Sequence, residues 1–250
     1  MPTFTTPEPV RVDVDLSLAV GNIEVVASDR ADTVVEVRPG DPARKADVRA
    51  AAETRVEQVG TRLLIEFNRH RRHMNMFSRN GSVDIRVELP AGSDIDADVA
   101  VGSLRCTGAI GTCRFTTHHG DIAVERAGGA VDVRTEHGQV RVDEVAGPLR
   151  VTSVNGGVRI GRAGDDVEAR NAKGAIRVGE VTRGSVVLTT ASGELEVGVR
   201  EGTAAWLDVR TVAGRLRNSL ETTERPVAEE ARVSVRARTY DGDIVIRRAS

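Results

Sequence analysis

Aromatic residues are scarce in this sequence, at 2% of 250 residues with a single Trp and a single Tyr. That scarcity excludes a thick core of packed rings and leaves few platforms on which a sugar could stack. Cysteine is nearly absent too: Cys106 and Cys113 stand alone, too few for a disulfide scaffold. In reducing surroundings they serve as small buried hydrophobes facing each other across a thin interior. No stretch approaches the ~18 uninterrupted apolar residues of a membrane-crossing helix. Residues 1–20 lack a basic start followed by an apolar run, so no secretory signal is expected and a cytoplasmic location is. A net charge of -2, from 35 basic and 37 acidic residues, argues against a dedicated nucleic-acid binder.

Catalytic signatures are missing as well. No glycine-rich turn leads into Gly-Lys-Ser/Thr, and no G-G-x-G-x-D calcium run occurs. No Asp cluster recurs on one face, as a polysaccharide-cleaving β-helix would need. No Ser-His-Asp or Cys-His set can be placed. The expectation is a non-enzymatic protein without a cofactor.

What the chain does have is a repeat. Residues 131–142 read VDVRTEHGQVRV, 149–160 LRVTSVNGGVRI, 167–178 VEARNAKGAIRV and 186–197 VVLTTASGELEV. The step is 18 residues, with one extra residue between Val178 and Val186. A fixed period of this kind marks a repeat architecture. Each copy holds two short alternating strands around a glycine, at Gly102, Gly120, Gly138, Gly156, Gly174 and Gly193. Glycine bends the chain there at little steric cost. Two strands and two arcs make one solenoid turn, and successive turns stack about 4.8 Å apart.

The register creates columns. Leu104, Ile122, Val140, Val158, Ile176 and Leu195 form one inner column, with Cys106, Val124, Val142, Ile160, Val178 and Val197 beside it. Cys113, Val131, Leu149, Val167 and Val186 stack opposite, next to Phe115, Val133, Val151, Ala169 and Leu188. Thr117, Thr135, Ser153, Asn171 and Thr190 form a polar ladder able to satisfy backbone groups at the arc. Outside, Arg126, Glu144, Arg162 and Glu180 alternate in sign, which favours the same register. A slip by one residue would turn the apolar set outward, so the agreement of the columns is the strongest evidence for stacking. An antiparallel sandwich of short hairpins also alternates, but it does not explain the 18-residue step.

The expected fold is therefore all-β: a β-solenoid, β-helix-like, with 18-residue turns of two short strands, irregular N-terminal strands and one short helix. One elongated domain spans 10–248. Its regular array covers 95–197, an irregular insertion covers 26–94, and terminal repeats lie at 207–218 and 235–246. Within the insertion, 33–37 reads as a strand, 42–53 as a helix, and 54–59 with 62–67 as a hairpin around Gly60. Strand character resumes at 83–89.

These features resemble a bacterial family of adhesin-like domains of unknown function, also called toastrack domains. The likeness rests on Gly21-Asn22-Ile23-Glu24-Val25 and on the strand ending in Leu89-Pro90. It rests also on the G-D-I-x-V phrases at 120–124 and 242–246. It covers roughly residues 10–248. The resemblance implies a β-solenoid-like, non-enzymatic domain encoded with envelope-stress or membrane-associated signalling systems, and it carries over no catalytic residue.

Three candidate sites follow from the residues. In the arm at 69–79, Arg69, Arg71, Arg72 and Arg79 flank Met74, Met76 and Phe77, a pairing suited to an anionic membrane surface or an adaptable protein contact. Against it stands the plain reading of a solvated loop. Arg141, Arg159 and Arg177 form an outward basic ridge, set against neighbouring Asp132, Glu168 and Glu196. His119 and His137, one period apart, are the weak metal candidate, since Asn155 and Lys173 follow them in the column. The functional expectation is a scaffold with a protein partner and peripheral contact with an anionic membrane, no nucleic acid, and homo-oligomer formation open. The alternatives are a self-assembling structural protein and a carbohydrate-binding or carbohydrate-cleaving β-helix.

Overall fold

A computed structural model describes residues 3–5, 9–67, 81–220 and 231–249. It divides into two compact units, residues 1–122 and 123–250. Both are built almost wholly of β-strands, paired in parallel in the C-terminal unit and mixed in the N-terminal one, which holds the single short helix among the described residues, Lys45–Glu53.

The C-terminal unit realises the 18-residue step. On one sheet Val131 pairs with Leu149, Leu149 with Val167, and Val167 with Val186. On the other Val140 pairs with Val158, Val158 with Ile176, and Ile176 with Leu195. All of these side chains are buried. Each contributes roughly 1.5–3 kcal/mol when fully removed from water, so stacked branched aliphatics replace the missing rings. The inserted residue costs no column: Val178 still faces Val197, and the register shifts only between Val178 and Val181.

Four of the five ladder residues bond backbone carbonyls at the arcs, while the buried Ser153 Oγ has no hydrogen-bond partner among the described residues. Asn171 Nδ2 donates to Gly156 O at 2.7 Å, and Thr190 Oγ1 to Gly174 O at 3.4 Å. Thr239 Oγ1 lies 3.2 Å from both Gly193 O and Asp241 O. Thr239→Val keeps the volume and removes this donor. It is expected to cost about 1 kcal/mol, read as a lower urea midpoint with an unchanged slope. A midpoint equal to wild type would mean the ladder is ornamental.

The chain order of the coils is not their order in space. Residues 204–218 and 232–248 both resemble the array, yet the later segment stacks directly on the coil at 184–199. Val186 pairs with Val235, Leu195 pairs with Ile244, and the earlier segment then lies beyond, with Leu207 on Val235 and Asn218 on Ile246. The reason lies in the inner positions. Val235, Ala237, Ile244 and Ile246 are wholly buried, whereas the other copy offers Asn218 where its neighbour has Ile246. The more apolar coil takes the covered place.

The N-terminal unit shows the same exchange. The long strand Arg11–Ser28 pairs in parallel with Asp94–Val101 and Leu104–Ile110. On its other side it pairs, also in parallel, with Arg62–Phe67 and Ser82–Pro90. Part of the segment at 26–94 is thus a coil in its own right. Thr54–Val59 then pairs antiparallel with Arg62–Phe67, and Asp32–Pro39 pairs antiparallel with Ser82–Pro90. The helix begins three residues later than the sequence expectation, because Asp41 Oδ1 accepts the amide of Ala43 in a turn that precedes it.

Candidate functional site

The arm residues Arg69, Arg71, Arg72, Met74, Met76, Phe77 and Arg79 lie outside the described residues. Their neighbours do not: Phe67 ends one strand and Ser82 begins the next, and both strands pair with Arg11–Ser28.

The basic ridge is assembled by register. Arg141 pairs with Arg159 and Arg159 with Arg177, and the column ends at Glu196. Arg141 Nε donates to Asp143 Oδ1 at 2.7 Å, and Arg177 NH2 donates to Glu194 Oε2 at 2.7 Å. These hydrogen bonds hold both guanidiniums above the ordinary arginine value. The guanidinium of Arg159, exposed between them, makes no hydrogen bond or ion pair with any described residue. The acids beside the ridge are only partly those expected. Asp132 and Glu168 belong to the other sheet, where each faces Arg150, and only Glu196 of the three stands next to the arginines.

The alternating ladder lines a shallow groove of about 450 Å³. Arg162 sits between Glu144 at 3.6 Å and Glu180 at 3.7 Å. Exposed pairs at such distances contribute less than about 1 kcal/mol, so they specify register more than stability. Gly161 and Gly179 form the floor, because a Cβ at either would strike a carbonyl of the preceding coil at 2.3 or 2.7 Å. In the N-terminal unit a second open groove is lined by Glu24, Glu36, Arg38, Arg86 and Glu88 among others. Its charges are likewise paired, Arg86 reaching Glu24 at 2.7 Å and Glu88 at 3.2 Å.

Among the remaining candidates, His119 ends the strand Cys113–His119 and His137 ends Val131–His137, and both are exposed. His137 faces Asn155, and Asn155 faces Lys173. Among the described residues no three His, Cys, Asp or Glu side chains gather as metal ligands would. Cys106 and Cys113 are buried free thiols. The hydrogen bond to Cys113, then burial, pushes the Cys106 thiol up, which keeps it protonated and unreactive. Partial burial, then the charge of Asp15, raises the Asp98 carboxyl.

One surface escaped the sequence reading. The outermost coil of the C-terminal unit leaves Trp206 59%, Val212 63% and Leu216 51% exposed. The signal was there in the polar Asn218 at an inner position, which marks a coil poorly suited to being covered on both sides.

Comparison with known proteins supplies the family. The family model described as Toastrack DUF4097 matches residues 13–247. Among solved structures, a candidate adhesin from Bacteroides fragilis is 13% identical, with a TM-score of 0.44, covering 99% of this chain and 95% of that one. A candidate cell adhesion protein from Clostridium sporogenes is 11% identical with a TM-score of 0.28, covering 99% and 98% respectively. A candidate lipid-binding protein from Parabacteroides distasonis is 10% identical with a TM-score of 0.32, covering 100% and 96%. No curated protein matches the chain.

Proposed function

We propose, for a chain that belongs to the Toastrack DUF4097 family, a non-enzymatic scaffold role. In it the β-repeat faces hold a protein partner and the arm at 69–79 docks on an anionic membrane surface. The observation that carries this reading is a contrast in charge composition. On the described faces, arginines are repeatedly answered by carboxylates: Arg162 by Glu144 and Glu180, Arg141 by Asp143, Arg177 by Glu194. Residues 69–79 instead hold four arginines and no Asp or Glu, around the apolar Met74, Met76 and Phe77. A run of cations with no acid within it, next to apolar side chains, favours an anionic interface, where the apolar residues would enter the headgroup region. The protein partner would meet the repeat face at Arg159, the one ridge cation left unanswered among the described residues. The signalling part, in envelope stress at the inner membrane surface, rests on the family resemblance alone.

The test is co-sedimentation with anionic and neutral vesicles at low and high salt. Each arginine near an anionic surface contributes about 1 kcal/mol. Replacing Arg69, Arg71 and Arg72 with Ala should therefore weaken binding by about 100-fold, and deleting 69–79 should abolish it. High salt should mimic the substitutions. Equal binding to neutral vesicles, or none to either, would remove the membrane from the proposal.

A further inference from the structure

We propose that two copies of this chain join through the outermost coil of the C-terminal unit. The strand Ala204–Ala213 would pair antiparallel with the same strand of a second copy, about a two-fold axis at Val209. The inference is independent of the arm and its membrane.

The first observation is an open edge. Ala204–Ala213 pairs on one side with Arg232–Asp241, and among the described residues no strand occupies its other side. Its inward Leu207 and Val209 are only half covered, and outward Trp206 and Val212 are exposed. Unpaired backbone groups beside apolar side chains form a template for another strand. The N-terminal unit treats its coil edges differently. Arg62–Phe67 is covered by Thr54–Val59, and Ser82–Pro90 by Asp32–Pro39, both antiparallel. A coil-on-coil chain of copies would need a parallel edge there to receive Ala204–Ala213. A closed two-fold needs only the edge that is open.

The second observation is that this edge is complementary to itself in one register. A two-fold axis normal to the sheet keeps inner side chains with inner ones, so it must fall on a residue. At Val209 it sets Asp208 opposite the second copy's Arg210, and Arg210 opposite the second copy's Asp208. It also sets Trp206 opposite Val212 on the outer face and Leu207 opposite Thr211 on the inner one. Moving the axis to Asp208 or Arg210 would place like charges face to face, which is destabilising. The charges are prepared for such an exchange. Arg210 has no partner among the described residues and stands in register beside Arg238, a like charge. Asp208 accepts from Arg236 Nε at 3.0 Å and Arg238 NH2 at 3.3 Å, both on Oδ2. Its Oδ1 makes no hydrogen bond within the described chain, so it can receive the guanidinium of the second copy.

Trp206 is the only tryptophan in the chain, so the contact carries its own reporter. Sedimentation equilibrium between about 1 and 100 μM should show monomer passing to dimer, with Trp emission moving to shorter wavelength as dimer forms. Arg210→Asp sets carboxylate against carboxylate twice and should raise the dimer dissociation constant at least tenfold, with unchanged far-UV circular dichroism. Val212→Lys, opposite Trp206, is a second variant with the same expected direction. Asp208→Arg alone should also fail to dimerise, yet an equimolar mixture with Arg210→Asp should form the heterodimer, because both cross pairs are then restored. A monomer at every concentration would overturn the proposal, whether the edge is bare or covered by residues 221–230. So would a dimer that ignores these substitutions, or polymers larger than two.

Discussion

Gly174→Ala should lower stability by about 4 kcal/mol, which for a chain of this size is a fall in Tm of about 10 °C. Three costs fall on the same atom. A Cβ at position 174 would lie 2.1 Å from Gly156 O, a backbone atom with nowhere to retreat because the next coil is stacked upon it. It would lie 2.8 Å from Asn171 Nδ2, the amide that donates to that same carbonyl at 2.7 Å. The backbone φ is +136°, a conformation L side chains rarely adopt. Strain of roughly 1–3 kcal/mol, overpacking of similar size and one lost hydrogen bond together reach the stated figure. Gly202 is the control: its φ is +75°, but a Cβ there would meet nothing within 4 Å, so Gly202→Asn should cost less than about 1 kcal/mol. Equal losses at the two sites would show that conformation alone matters and that coil-to-coil contact does not. The measurement is thermal and urea unfolding of both variants beside wild type.

This glycine also shows how far the sequence could be read. Its 18-residue recurrence was visible, and with it the register, the inner columns and the Thr–Ser–Asn ladder. Val145, Ala163, Val181 and Val199 form a further inner column, all four buried, that alternation does not reveal. It follows Val142, Ile160 and Val178 by three residues, so a search for period-two alternation steps over it. The stacking order at 204–248 and at 11–90 was hidden for a different reason. Every coil offers the same apolar columns, so periodicity says that coils stack but not which pairs with which. Only the inner Asn218 distinguishes the outermost coil from its neighbour. The in-register stacking of Arg141, Arg159 and Arg177 follows from their spacing, because it is a consequence of the period. Two of the acids assigned to them belong to the other sheet, since proximity along the chain is no guide to proximity across a coil.

Asp47→Ala should cost about 4 kcal/mol, but its damage should be local to the N-terminal unit. The Asp47 carboxylate is 1% exposed, and its two oxygens hold two different backbone segments. Oδ2 accepts the amide of Asp41 at 3.0 Å and Oδ1 accepts that of Ser82 at 3.1 Å, with Arg44 3.7 Å away. The side chain thus ties the first turn of the helix Lys45–Glu53 to the start of the strand Ser82–Pro90. The approach is close enough that a Cβ on Gly81 would meet Ala46 O at 2.3 Å. Removing the carboxylate breaks two part-buried hydrogen bonds to a charged acceptor, at about 2 kcal/mol each. Asp47→Asn keeps one acceptor and should lose about half as much. Hydrogen exchange separates local from global loss: the amides of Asp41 and Ser82 should lose protection while those of Val142 and Val178 keep theirs. Ser82 follows the arm closely in the chain, so the same variant bears on the membrane reading. Long-range attraction between arginines and an anionic surface does not depend on a fixed loop geometry. Vesicle binding by Asp47→Ala should therefore stay within about twofold of wild type if charge drives docking. A loss of binding that tracks the lost amide protection would instead mean that the arm must be held in shape to dock, and a shaped protein contact would then describe it better than a lipid surface.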